Sequence, residues 1–139
     1  MKKILILALG ALAMISCAKQ PCDARHTCWA YDATIYELNT RQATPEGTFA
    51  AAEALLPEIK ESGVDIIWIM PIQKIGVLER KGTLGSYYAI TDYCEFNPEF
   101  GTRADFEHFL AKAHELGLKV ILDWVANHTA PDSEWTKND

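Results

Sequence analysis

Val64 to Met70, VDIIWIM, is apolar at every position except Asp65 and is closed by Pro71. A strand-length run without polar alternation fits a strand covered on both faces, as a parallel sheet requires. Trp68, in the middle of that run, is expected to pack in the core. A second apolar run, Val120 to Leu122, hands over abruptly to Asp123, Asn127 and His128. Burying an acid, an amide and an imidazole costs a few kcal/mol each unless every group finds a partner. In α/β proteins the carboxyl ends of strands face the ligand crevice, so a core strand that exits into these groups marks a functional site. The alternative is that Asp123 and Asn127 cap the strand end and His128 is a satisfied loop histidine.

Helical segments alternate with these runs. Residues 33 to 38, ATIYEL, have the β-branched and aromatic content of a strand and end in polar Asn39, Thr40 and Arg41. Thr48 can cap a helix with an apolar face of Phe49, Ala52, Leu55, Leu56 and Ile59, ended by Gly63. Pro57 predicts a kink or break within it. A long polar and glycine-bearing connection runs from Gln73 to Gly101, and such loops in compact domains are usually functional. Thr102 caps the next helix, Asp105 opposes the dipole in its first turn, and Phe106, Phe109, Leu110, Ala113 and Leu116 form one stripe before Gly117.

The order βαβαβ, with right-handed crossovers, predicts a parallel sheet with helices packed outside. A doubly wound nucleotide-binding sheet needs a glycine-rich turn after its first strand, and NTRQATPEG lacks it. A (β/α)8 TIM barrel takes about 250 residues. The chain therefore reads as the first three βα units of such a barrel, incomplete and truncated after its third strand.

The front end reads as a targeting device. Lys2 and Lys3 precede an almost wholly apolar stretch, residues 4 to 15, followed by Ser16 and Cys17. That is a signal peptide over residues 1–16, too short for a membrane span. Met14, Ile15, Ser16 and Cys17 resemble a bacterial lipobox, with Met14 in place of the usual leucine. The implied product is an exported lipoprotein held at the outer membrane or cell surface by lipid on Cys17, with a periplasmic or secreted protein as the alternative. Residues 17–31 then form a tether, and 32–139 the folded part. Cleavage before Cys17 removes two lysines and no acids, moving the formal charge from -6 to -8. A chain this acidic lacks the basic face that nucleic acid demands. Cys22, Cys28 and Cys94 match no zinc or redox spacing. An exported protein can pair Cys22 with Cys28, leaving Cys94 for the core, but the spacing does not choose a pairing.

Three blocks occur in a telling order: IYELNTRQ, then GVDIIWIMPI, then GSYYAITDYCEFNPEFGTRADFEHFLAKAHELGLKVILDWVANHTA. Together, from Ile35 to Asn138, they resemble the opening of the alpha-amylase family, glycoside hydrolase family 13. The last block is the most specific, joining a tyrosine and aspartate signature, the NPEFGT turn and a motif of the form DxVxNH. The resemblance implies that His128 hydrogen-bonds the sugar on the non-reducing side of the cut. It implies that Asp123 supports the active site by pairing with an arginine on the following barrel strand. Tyr88, four residues before Asp92, is similar to the tyrosine that stacks on the same sugar, with Tyr87 as the competing choice. A sugar's C–H face suits an aromatic platform. Asp92 resembles a position that helps fix this loop at the substrate, and Asn97, Pro98, Phe100 and Gly101 resemble residues that shape the turn into the second helix. Asn127 matches an asparagine that in many members ligates a structural calcium, a site of six to eight oxygen ligands whose remainder would lie beyond Asp139.

Retaining glycosidases use two carboxyl groups about 5 Å apart, a nucleophile and a general acid and base. The resemblance puts them on an aspartate after the fourth strand and a glutamate after the fifth, with a further aspartate after the seventh. No catalytic residue is assigned within this chain, which is expected to be inactive alone. The implied parent is a retaining hydrolase of α-glucosidic bonds in starch-like glucans or maltooligosaccharides. The alternative is a non-catalytic surface module that binds glucan, which Tyr87, Tyr88, Trp124 and Trp135 permit. A nucleotide-binding domain is disfavoured by the missing glycine turn.

Overall fold

The computed structural model describes residues 27–137. The signal peptide, the lipobox with Cys17, Cys22 and most of the tether lie outside the described residues. The chain divides into two compact units, residues 1–32 and 33–139. In the described part of the first, Cys28–Ala30 form a 3-10 turn. Cys28 is in a disulfide whose partner lies outside the described residues.

The second unit runs β1 (Ile35–Leu38), α1 (Thr40–Ala43), α2 (Phe49–Glu53), α3 (Leu56–Glu61), β2 (Ile66–Ile69), β3 (Gln73–Ile75), β4 (Ile90–Phe96), α4 (Arg103–Glu115) and β5 (Lys119–Leu122). Strands β1, β2 and β5 form a parallel sheet in that order. Ile35 to Leu38 pair with Ile66 to Ile69, and Ile66 to Ile69 with Lys119 to Leu122. The sheet thus has the expected βαβαβ core. Thr48 caps α2 by accepting from the Ala51 amide at 3.3 Å. The chain breaks between α2 and α3, and Pro57 sits in the first turn of α3, where its missing N–H has no intrahelical partner to lose. The break expected near Pro57 thus divides the segment into two short helices.

Helix α4 opens with a reciprocal cap. The Asp105 amide donates to Thr102 Oγ1 at 3.2 Å and the Thr102 amide donates to Asp105 Oδ2 at 2.7 Å. Gly117 takes φ 74° just beyond its end, a conformation that favours glycine. Phe109 and Ala113 of its apolar stripe are fully buried. They meet Phe49, Ala52 and Leu56 over Leu38, Ile67 and Ile69 of the sheet. Phe49 packs edge-on against Phe100 and Phe106, at ring separations of 5.9 and 5.2 Å.

Three expectations are corrected. The connection from Gln73 to Gly101 is not irregular throughout: β3 and β4 pair antiparallel, with irregularities in register on both sides of Lys74. Trp68 is not a core residue but 37% exposed, and Ile121 and Leu122 are exposed as well. The helices cover one face of the sheet, whereas Glu37, Trp68 and Ile121 form a row across the other. Cys94 is a free, exposed thiol on the outer half of β4, beyond the buried Ile90.

Candidate sugar site at the strand exits

The carboxyl ends of β1, β2 and β5 lie side by side because parallel pairing aligns them. The Asp123 amide donates to Ile69 O at 2.8 Å, extending the ladder one residue past β5 and fixing where the acid emerges. Tyr88 arrives from the loop between β3 and β4, and its hydroxyl donates to Asp123 Oδ2 at 2.8 Å. That bond, helped by burial and by the carboxylate's charge, pushes the Tyr88 phenol up to about 12. Both groups are half-buried.

His128 completes the group. Its Nε2 lies 3.2 Å from Tyr88 O and its Nδ1 3.4 Å from Asn127 Nδ2. A carbonyl accepts only, and an amide nitrogen donates only. Both contacts are satisfied together by the neutral imidazole with its proton on Nε2. A sugar hydroxyl accepting from Nε2 would compete with the Tyr88 carbonyl. The arrangement presents a tilted pair of aromatic rings, Tyr87 and Tyr88 at 5.2 Å, beside a carboxylate and an imidazole. Such a surface can bind one sugar ring by its C–H face and orient its hydroxyls.

Tyr87 and Tyr88 have different partners. Tyr88 engages Asp123, whereas the Tyr87 hydroxyl accepts from Asn39 Nδ2 at 3.2 Å and the Arg41 guanidinium lies 5.2 Å from its ring centre. Asp92 stands apart. Its Oδ1 accepts from the Cys94 amide at 2.8 Å, and it lines a separate cavity with Lys74, Thr91, Asp132 and Glu134. No hydrogen bond joins it to Tyr88, Asp123 or His128 among the described residues. The buried Asn97 accepts from the Glu99 amide at 3.1 Å and, with buried Phe100, shapes the turn into α4. Asn127 is exposed, and no group of three or more His, Cys, Asp or Glu able to hold a metal occurs among the described residues.

Sequence reasoning missed the frame around the site. Arg41 donates from Nη1 to Gly85 O at 3.0 Å and from Nη2 to Leu84 O at 3.3 Å, and it pairs with Glu99 at 3.1 Å. Arg80 takes the other oxygen of Glu99 at 3.3 Å. Asp132 Oδ2 accepts from the Val77 and Leu78 amides at 2.8 and 3.2 Å, and these bonds, Val77's first, hold its carboxyl below the usual range. The loop that carries Tyr88 is thus tied at several points. An open groove of about 390 Å³ lies next to it, lined by Tyr93, Trp124, Asn127, His128, Thr129 and Trp135 among others.

The sequence and fold both have counterparts among known proteins. The family description "Alpha amylase, catalytic domain" matches residues 32–139. The chain is 31% identical over 140 residues to an alpha-glucosidase of Apis mellifera, covering 97% of this chain and 23% of that protein. It is 37% identical over 116 residues to the alpha-amylase MalA of Haloarcula japonica, covering 81% and 16%. An alpha-amylase of Lactobacillus plantarum superposes with a TM-score of 0.72 at 53% identity, over 73% of this chain and 24% of that one. A maltogenic alpha-amylase, AmyB of Thermotoga neapolitana, gives 0.70 at 44%, over 75% and 25%. The chain spans less than a quarter of the length of these two curated relatives. Its three parallel strands with outer helices superpose on part of the barrel of the solved amylases, and the chain belongs to the alpha-amylase family of glycoside hydrolases.

Proposed function

We propose that residues 33–137 form one wall of the sugar site of a retaining glycoside hydrolase that acts on α-glucosidic bonds of starch-like glucans or maltooligosaccharides. The observation that carries this reading is the Tyr88 hydroxyl on Asp123 at 2.8 Å, with His128 alongside at the exit of the sheet. In it, Tyr88 offers a ring to the C–H face of one glucosyl unit, His128 donates to a hydroxyl of that unit, and Asp123 holds the Tyr88 phenol in place. Asp92, whose carboxylate accepts from the Cys94 amide two residues on, is assigned to shaping β4 and not to the sugar. The reading gives the two reacting carboxyl groups to later strands of the barrel and gives residues 33–137 the binding of the sugar.

The test is turnover of maltoheptaose by the full-length gene product, with the anomer released followed by proton NMR. Release of the α-anomer supports a retaining hydrolase, and release of the β-anomer rejects it. Hydrolysis by the 139-residue chain above a His128→Ala control would reject the assignment of its residues to binding alone.

A second reading is a module that binds glucan without cutting it. Trp124 and Trp135, 61% and 66% exposed around Tyr93, favour it. Affinity for maltoheptaose without turnover separates the two. Calcium at Asn127 belongs to the first reading, with Asn127 as one of six to eight oxygen ligands. An unchanged Tm on swapping calcium for a chelator would remove it. Lipid on Cys17 is tested by palmitate labelling of wild type and Cys17→Ser, with label expected only in the former; it would place the site at the outer membrane or cell surface, the unlabelled outcome favouring a periplasmic or secreted protein.

A further inference from the structure

We propose that Tyr93 is a positioning residue for the sugar site, acting through His128; the proposal rests on the reading of His128 as a sugar ligand. Between the Asp123 amide on Ile69 O and the Ala130 amide on Ile90 O, no backbone-to-backbone hydrogen bond engages residues 124–129 among the described residues. A loop of that kind opens at little cost unless side chains hold it. Tyr93 does so: its hydroxyl lies 2.7 Å from Val125 O and 2.8 Å from His128 O. A phenol has one proton to donate, so it is shared between two carbonyls that converge on it. The loop wraps around this one oxygen, and the carbonyl of His128 itself is half of the grip.

The support is stiff. Tyr93 belongs to β4, and its ring stacks on Trp135 at 4.7 Å, 5° from parallel, with Trp124 tilted at 5.2 Å. The ring cannot swing without breaking that stack. Thr129 adds a bond at the far end of the loop, donating to Ile90 O at 2.7 Å. It does not touch the His128 peptide in the way Tyr93 does. The imidazole then reaches Tyr88 O from a backbone whose position Tyr93 sets.

The test uses the full-length gene product as wild type, Tyr93→Phe, Thr129→Val, His128→Ala and the double variant Y93F/H128A. Phe keeps both ring contacts, so the fold is retained with a modest loss of Tm. The nitrogen resonances of the His128 imidazole, assigned by their disappearance in H128A, report the clamp directly. They are expected to move in Y93F and to stay in place in T129V, although both lose a hydroxyl bond. Turnover of maltoheptaose is expected to lose about tenfold in kcat/KM on Y93F in the wild-type background, since small misplacements of a binding group are costly. In the H128A background the same change is expected to cost nothing further. Unmoved His128 resonances in Y93F, equal shifts in T129V, or equal losses in both backgrounds would overturn the proposal. If the wild type turns over no glucan, the proposed function fails, while the resonances still decide the clamp.

Discussion

At the scale of single residues, the Tyr88–Asp123 pair makes the sharpest demand on experiment. The Tyr88 phenol is pushed up to about 12 from 10, first by its bond to Asp123. A raised folded pKa gives stability that is complete below the unfolded value and lost as pH rises through the folded one. The pair's contribution should therefore be intact below about pH 10 and vanish toward pH 12. Asp123→Asn should return the phenol toward pH 10, read as phenolate absorbance against a Tyr88→Phe control; no change would mean that burial, and not the carboxylate, sets it. Gly76 makes a second demand. A Cβ there would lie 2.3 Å from Asp132 Oδ1 and 2.6 Å from Ala130 Cβ. Gly76→Ala should cost about 1–3 kcal/mol in urea melts by overpacking, and an unchanged midpoint would show that Asp132 moves freely. The emergence of Asp123 and His128 beyond the third strand was legible in the sequence, because an apolar run that stops at polar groups marks where a strand ends. Arg41 was not: its partners Gly85 and Glu99 lie 44 and 58 residues away, and no local pattern links them.

Among the elements, local chemistry was readable wherever it acted over one turn. Thr102 with Asp105, and Pro57 after a short apolar helix, both did in the structure what their spacing implied. Thr102→Ala should cost about 1 kcal/mol, because it leaves first-turn amides of α4 without the side-chain acceptor. A loss below a few tenths would mean that water replaces the cap. The β3–β4 hairpin went unread for the opposite reason. Gln73 to Ile75 are too few residues to show alternation, and the irregular register around Lys74 removes the period that pairing would impose. Its existence follows from tertiary contacts: the Asp132 carboxylate on the loop amides and the Ile90 carbonyl on the Ala130 amide.

For the whole molecule, an apolar strand tells that something covers it without telling how much. Val64 to Met70 read as buried on both sides, yet only the side facing α2 and α4 is covered in this chain. The family's barrel wraps such a sheet on itself with the helices outside, and the row Glu37, Trp68 and Ile121 lies on the face that would turn to its interior. An apolar row open to water is also a surface on which chains associate. Trp68 makes that row visible to light. An indole in contact with water emits to the red of one that is dry, and Trp29, Trp124 and Trp135 supply a constant background that a Trp68→Phe variant subtracts. In the 139-residue chain the difference spectrum should be red. A blue difference spectrum from the full-length protein would report, residue by residue and without any substrate, that the sheet has found its other half.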